Sequence, residues 1–169
     1  MPAGGMGGGV AVEIYISASW KQRVRVRSLA KRLREAGFDV FDFTDPGCRR
    51  APVAAPEWFP EAFDPQLHDY SEYLNRPEWQ AAVWENREVL ERCDAVVLLL
   101  PCGIDATADW AYAVAQGKLT VVVGHPSAGE RSPVHLWADD ILPDDDACIQ
   151  WLRQVWRASG RAAQNGAGG

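Results

Sequence analysis

Histidine and cysteine are scarce in this chain, and each shortage closes off a class of chemistry. The four cysteines, Cys48, Cys93, Cys102 and Cys148, form no CxxC pair and no Cys/His ligand spacing, so neither a zinc site nor any other metal site is expected. Cys93 and Cys102 flank or sit within an apolar run and read as small core residues of a reducing compartment, which makes the cytoplasm the expected location. His68, His125 and His135 fall in predicted loops with no serine or cysteine elbow nearby. They read as surface residues, and a hydrolase triad is not expected. There is no GxGxxG and no GxxxxGK[ST], so the dinucleotide and P-loop phosphate cradles are missing and no cofactor is expected. No apolar run approaches the roughly 20 residues that span a bilayer, so no membrane association is expected. Residues 1–9 lack the charged start and apolar middle of a secretory signal and read as a flexible leader.

What is present describes a single domain. At 169 residues, with 47% hydrophobic and 24% charged content, the chain can bury a real core. The net charge of -6 argues against a nucleic-acid partner. The charge is uneven, however, because seven of the 17 basic residues lie between Lys21 and Arg34. That cluster is either a phosphate-facing surface or a solvated helix face.

Strand and helix signals alternate. "VAVEIYISA" (10–18) is a β-rich run, and the following stretch repeats Val26, Leu29, Ala30, Leu33 and Ala36 at helical spacing before Gly37. "DVFDFT" reads as a second strand. Residues 45–75, rich in Pro, Gly, Asp and aromatics, read either as a lid or partner-binding segment or as an aromatic flap packed on its own domain. "RPEWQAAVWENREVLERC" places Trp79, Val83, Val89 and Leu90 on a helical stripe. "DAVVLLLP" and "KLTVVVG" are buried strands around the helix "DATADWAYAVAQG", "DDILP" is a short edge strand, and "DDDACIQWLRQVWRA" is a last helix. The fold class is therefore α/β: a doubly wound sheet of four or five mainly parallel strands over residues 10–157, with helices on both faces and a flexible tail at 158–169.

Ligands of such sheets bind at the carboxyl ends of the strands, here "SASW" and "PCGID". Asp105 has the type and place of a helix N-cap. Asp109 lies four residues further on, where a helix interior does not favour aspartate. Either it serves first-turn electrostatics, or it points into the cleft as a partly desolvated carboxylate able to attack an anomeric carbon. Tyr15, Ser17, Ser19 and Trp20 offer hydrogen bonds and a stacking surface there, although Tyr15 and Trp20 read equally as packing. Backbone N–H groups after Gly103, together with Ser17, Ser19 and Thr107, suit either a 5′-phosphate or simple capping. Lys21 and Arg23 are the basic residues nearest that cleft.

"EIYISASWKQR" and "CDAVVLLLPCGIDATADWAYAVAQGK" together resemble the nucleoside 2-deoxyribosyltransferase superfamily, which includes nucleotide N-glycosidases. The resemblance covers residues 10–124. It implies cleavage of an N-glycosidic bond in a small nucleoside or nucleotide, with Asp109 in the place of the nucleophilic glutamate and Tyr15 as its hydrogen-bonding tyrosine. It also implies a base-stacking role for Trp20 and puts Asn86 where the family has an acidic residue that aids proton transfer to the base. The chain departs from the pattern at Asp109, one methylene shorter than glutamate, at Ala111 for a glycine, at Asn86, and at Gly103, where many members have aspartate. A shortfall of ~1 Å at the nucleophile costs about 100-fold. Asp105 and Glu85 are candidates to stand in for the missing acids. Besides an active enzyme, two other readings are a nucleotide-binding protein that has lost turnover and a TIR-like NAD hydrolase. The resemblance also implies a homo-oligomer, and eight tryptophans favour a buried interface, with Trp151 and Trp156 candidates for core or interface.

Overall fold

Five short stretches rich in Val, Ile and Leu pair into one wholly parallel sheet. They are β1 (Glu13–Ser17), β2 (Asp39–Phe41), β3 (Ala95–Leu99), β4 (Leu119–Val123) and β5 (Asp140–Leu142), in the order β2-β1-β3-β4-β5. The computed structural model describes residues 11–51 and 69–166. The leader, residues 52–68 of the aromatic segment and the last three residues lie outside them.

The helices are α1 (Arg23–Glu35), α2 (Tyr70–Leu74), α3 (Pro77–Arg92), α4 (Ile104–Ala115) and α5 (Asp145–Gly166). Successive strand residues point to opposite faces, so the sheet builds two cores. Ile14, Ile16, Val97, Leu99, Val121 and Val123 pack against the buried sides of α1 and α5. Tyr15, Val96, Leu98 and Val122 pack against α3 and α4. Each of the five residues of β3 is buried, as a central parallel strand covered on both faces requires. Gly37 and Gly117 end α1 and α4 at φ values of 95° and 69°, a region that costs a side chain energy and glycine little.

Several expectations change in three dimensions. The buried side of α3 is Ala82, Glu85, Val89 and Leu90, whereas Val83 is 58% exposed. A charged residue takes an inward position there because it has a buried partner, described below. His135 is not a surface residue: it sits in the 3-10 helix Pro133–Trp137, with its ring edge-on to Trp110 at 6.0 Å. Trp151 and Trp156 both pack on the α1/α5 core, with Trp156 edge-on to Phe38. The last helix continues to Gly166, beyond the stretch read from its periodicity.

The cysteines are all free, and Cys93, Cys102 and Cys148 are buried. Burial pushes the Cys93 thiol up to about 11 and the Cys148 thiol up to about 12, so both behave as apolar packing groups. Among the described residues, no helix is long and apolar enough to cross a membrane.

Leu98 lies in the central strand β3 with no exposed surface. Truncation to alanine leaves a cavity in a rigid strand, and Leu98→Ala is expected to cost about 3 kcal/mol. Urea unfolding should report this as a lower midpoint at unchanged slope.

Candidate active site

The chain reverses its winding between β1 and β3, and this opens a crevice at their carboxyl ends. After β1 the chain turns through the 3-10 helix Trp20–Gln22 into α1 on one face, and after β3 it enters α4 on the other. Between them lies a cleft of about 1060 Å³. Tyr15, Ser17, Ser19, Trp20, Asn86, Gly103, Asp105 and Asp109 all line it. The fold thus brings eight of the nine sequence-derived candidates to one place.

At the centre is a hydrogen bond from the Tyr15 hydroxyl to Asp109 Oδ2, 2.8 Å long. Tyr15 is 1% exposed and stacks on Phe41 at 5.5 Å, so β1 and β2 together hold its ring. Asp109 precedes Trp110, whose fully buried indole anchors that turn of α4. Burial raises the Asp109 carboxyl to about 6; the nearby Asp105 charge pushes the same way, and the Tyr15 hydrogen bond pulls back. Burial, and then the Asp109 charge, raise Tyr15 well above its ordinary range. Tyr15 is therefore the neutral donor and Asp109 the acceptor near neutral pH.

The α4 terminus differs from the sequence reading. The helix starts at Ile104, and Gly103 is the N-cap in extended conformation, with no side-chain cap bond. Asp105 is consequently not the cap: it lies inside the first turn, exposed, with its carboxylate on the cleft. Asp109 falls in the second turn, past the reach of first-turn electrostatics, and its tyrosine bond supplies the reason for its presence. Thr107 donates to the Gly103 carbonyl at 3.1 Å and is not among the lining residues. Ser17 donates to the Ala106 carbonyl at 2.9 Å, tying β1 to α4. Ser19 accepts from the Lys21 backbone N–H and starts the 3-10 turn, and Trp20 packs against Phe43 at 6.1 Å.

Asn86 is half-buried on α3 and accepts a hydrogen bond from Arg49 Nη1 at 3.0 Å. Glu85 does not stand in for an acid in the cleft. It is buried, 3.3 Å from Arg49 Nη2, and accepts the backbone N–H groups of Arg50 and Ala51 at 2.6 and 3.1 Å.

Arg49 is a charged lining residue that the sequence did not single out. Its side chain is 4% exposed, and its guanidinium lies 5.7 Å from the centre of the Phe41 ring. Nothing about an arginine in a Pro/Gly-rich stretch signals burial. Only Glu85, an acid at an inward position of an otherwise apolar helix side, hinted that a cation had to meet it.

The basic cluster divides by geometry. Arg25 pairs with Asp145, Arg32 with Asp146 and Lys31 with Glu35, while Arg27 and Arg34 bond Thr44 and Val40. Lys21 and Arg23 remain exposed at the cleft, with no ion-pair partner among the described residues. Among those residues there is also no group of three or more His, Cys, Asp or Glu side chains arranged to hold a metal ion.

No family model and no curated protein matches the chain. Among solved structures it is similar to the CMP N-glycosidase BcmB of Clostridium botulinum. The identity is 13% and the TM-score 0.46, over 83% of this chain and 98% of that one.

Holding Asp109 half out of water costs stability wherever it is ionised. Its folded value of about 6 lies above the ordinary 3.8, so the native state binds the proton more tightly than the unfolded chain. The cost is absent below about pH 4, grows as pH rises between the two values and is complete above 6. Asp109→Asn keeps an acceptor for Tyr15 and should stabilise the fold by roughly 1–3 kcal/mol at pH 7.5. Thermal unfolding should show that gain at pH 7.5 and none at pH 4.

Proposed function

We propose that this protein cleaves the N-glycosidic bond of a nucleoside 5′-monophosphate or nucleoside, with Asp109 as the attacking carboxylate. The observation that carries this reading is the Tyr15–Asp109 pair at the mouth of the strand-end cleft, a carboxylate oriented by a neutral phenol and partly stripped of water. Such a group is a competent nucleophile toward a sugar carbon that develops oxocarbenium character.

One oxygen of Asp109 is occupied by Tyr15, and the other, which has no hydrogen-bond partner among the described residues, bonds to the anomeric carbon. As that bond forms, the carbon–nitrogen bond breaks and its electron pair leaves with the base. Water, or a second base in a transfer reaction, then attacks the same carbon, and the ester bond breaks to restore the carboxylate. Asp105, the second carboxylate of the cleft, accepts the proton of the attacking water and passes it to the departed base.

A 5′-phosphate has two attractions in this cleft. Lys21 and Arg23 carry positive charge at its edge, and the α4 N-terminus presents backbone N–H groups that receive no side-chain cap bond from the N-cap residue, Gly103. Trp20 and Phe43 provide flat apolar surface beside them.

Purified protein incubated with deoxyribo- and ribonucleosides, their 5′-monophosphates and NAD should release free base, as read by chromatography. Release should be fastest from a monophosphate and be lost in Asp109→Asn. No release from any compound, together with saturable nucleotide binding, would instead make the protein a binding module. Because Asp109 must be ionised to attack, kcat/KM should rise with pH through about 6 and level above 7. In Tyr15→Phe that limb should move to higher pH, since the bond that favours the carboxylate is gone. A flat profile between pH 5 and 8 would remove Asp109 from the attacking role.

A further inference from the structure

We infer that Arg49 and Asn86 form a leaving-base site that stabilises the departing base as an anion by hydrogen bonding, and so selects uracil-type pyrimidines. This rests on the glycosidic reading above.

The starting point is the orientation of one amide. A guanidinium has five donors and no acceptor, so the Asn86 atom that meets Arg49 Nη1 at 3.0 Å must be its carbonyl oxygen. The amide NH2 therefore points away from Arg49, on a residue that lines the cleft, and it has no partner among the described residues. Asn86 presents a donor to the ligand space, not an acceptor.

Arg49 is in turn unable to swing away. It is held by Glu85 at 3.3 Å, by the carbonyls of Ala82 and Phe43 at 3.2 and 3.4 Å, and by the face of Phe41. Its Nε is buried and has no hydrogen-bond partner among the described residues. The Glu85 carboxylate that balances its charge also serves two backbone N–H groups, so its compensation of Arg49 is shared. A fixed positive group behind the Asn86 carbonyl polarises the amide and strengthens its N–H as a donor.

An amide cannot surrender a proton. It can stabilise negative charge that grows on an acceptor opposite it, and such a contact gains most in the transition state. When the bond from the sugar to pyrimidine N1 breaks, the electron pair left on N1 spreads into the neighbouring C2 carbonyl. In uracil and thymine it also spreads into the C4 carbonyl. These bases leave as stabilised anions that take up the proton of the resolving water afterwards. Cytosine forms a poorer anion and departs readily only when protonated, a service Asn86 cannot provide; adenine has no carbonyl on which the charge could meet the amide N–H. Arg49 is thus a positioning residue, and Asn86 is the group that touches the base.

The test is kinetic and uses the full-length protein. Single-turnover base release is measured for the 5′-monophosphates of deoxyuridine, its 5-fluoro and 5-methyl derivatives, deoxycytidine and deoxyadenosine. The uracil series should be faster than cytosine or adenine by about 100-fold, and within it the rate should rise with the acidity of the leaving base. Asn86→Ala should lower the chemical rate on the uracil series by about 100-fold with little change in KM, and should steepen its dependence on leaving-base acidity. Removing Arg49 alone would leave the buried Glu85 carboxylate with only the exposed Arg50, 3.7 Å away, as its charge partner, so the double variant Arg49→Met/Glu85→Met is used; it keeps the interior neutral, and its folding is checked by its thermal midpoint. It should lose about 10- to 100-fold on the uracil series through loss of Asn86 orientation. Cytosine or adenine released as fast as uracil, or an Asn86→Ala effect equal for all bases, overturns the inference. If that release still disappears in Asp109→Asn, the carboxylate reaction itself stands. No release of any base overturns both.

Discussion

The bond between the Tyr15 hydroxyl and Asp109 joins the first strand to the helix that follows the third, across the crevice where the sheet changes its winding direction. Everything near the cleft depends on how that bond is held. Phe41 stacks on the tyrosine ring, Trp110 anchors the turn of α4 that carries Asp109, and Ser17 binds the Ala106 carbonyl one turn earlier. A carboxylate is thereby kept half out of water, which by itself is unfavourable, and the phenol offsets only part of the cost. A fold that carries such a group gives up stability at that place.

Charge is distributed around the cleft on the same principle. The α1 cations that could have crowded it are taken up by α5 acids and by backbone carbonyls, leaving Lys21 and Arg23 at the edge. Among the described residues the one buried cation lining the cleft, Arg49, is matched by Glu85 and covered by Phe41. A buried pair of this kind contributes little net stability against an apolar substitute. Its effect is geometric: it ties the segment after β2 to α3 and sets which way the Asn86 amide faces.

Much of the fold was legible because hydrophobic periodicity follows from covalent geometry. The run through β3 is apolar at every position because both its faces are covered, and α1 shows its inward stripe at Val26, Leu29, Ala30 and Leu33. Gly37 and Gly117 mark helix ends because only glycine adopts their backbone cheaply. Candidate residues were legible where they followed a strand end, as with Tyr15 through Trp20, or where a residue type sat against its local preference, as with Asp109. Less legible were features set by partners distant in sequence. Asp105 looked like a cap because a helix start is ambiguous by a residue or two, and the backbone of Gly103 took that place. His135 looked exposed because a short 3-10 turn has no period to read, and its burial came from Trp110.

By itself the sequence determined the order of strands and helices, the two-sided burial of the sheet and the strand ends that border the cleft. These are consequences of side-chain alternation and chain connectivity, which neighbouring residues encode. Tertiary structure alone decided that Asp109 meets Tyr15 and not a solvated helix start, that Glu85 is paired with Arg49, and that the Asn86 carbonyl oxygen meets Arg49. Each of those outcomes is a contact between residues 34 to 94 positions apart, or follows from one. Hydrogen-bond direction and desolvation act through space, and local sequence carries no record of them.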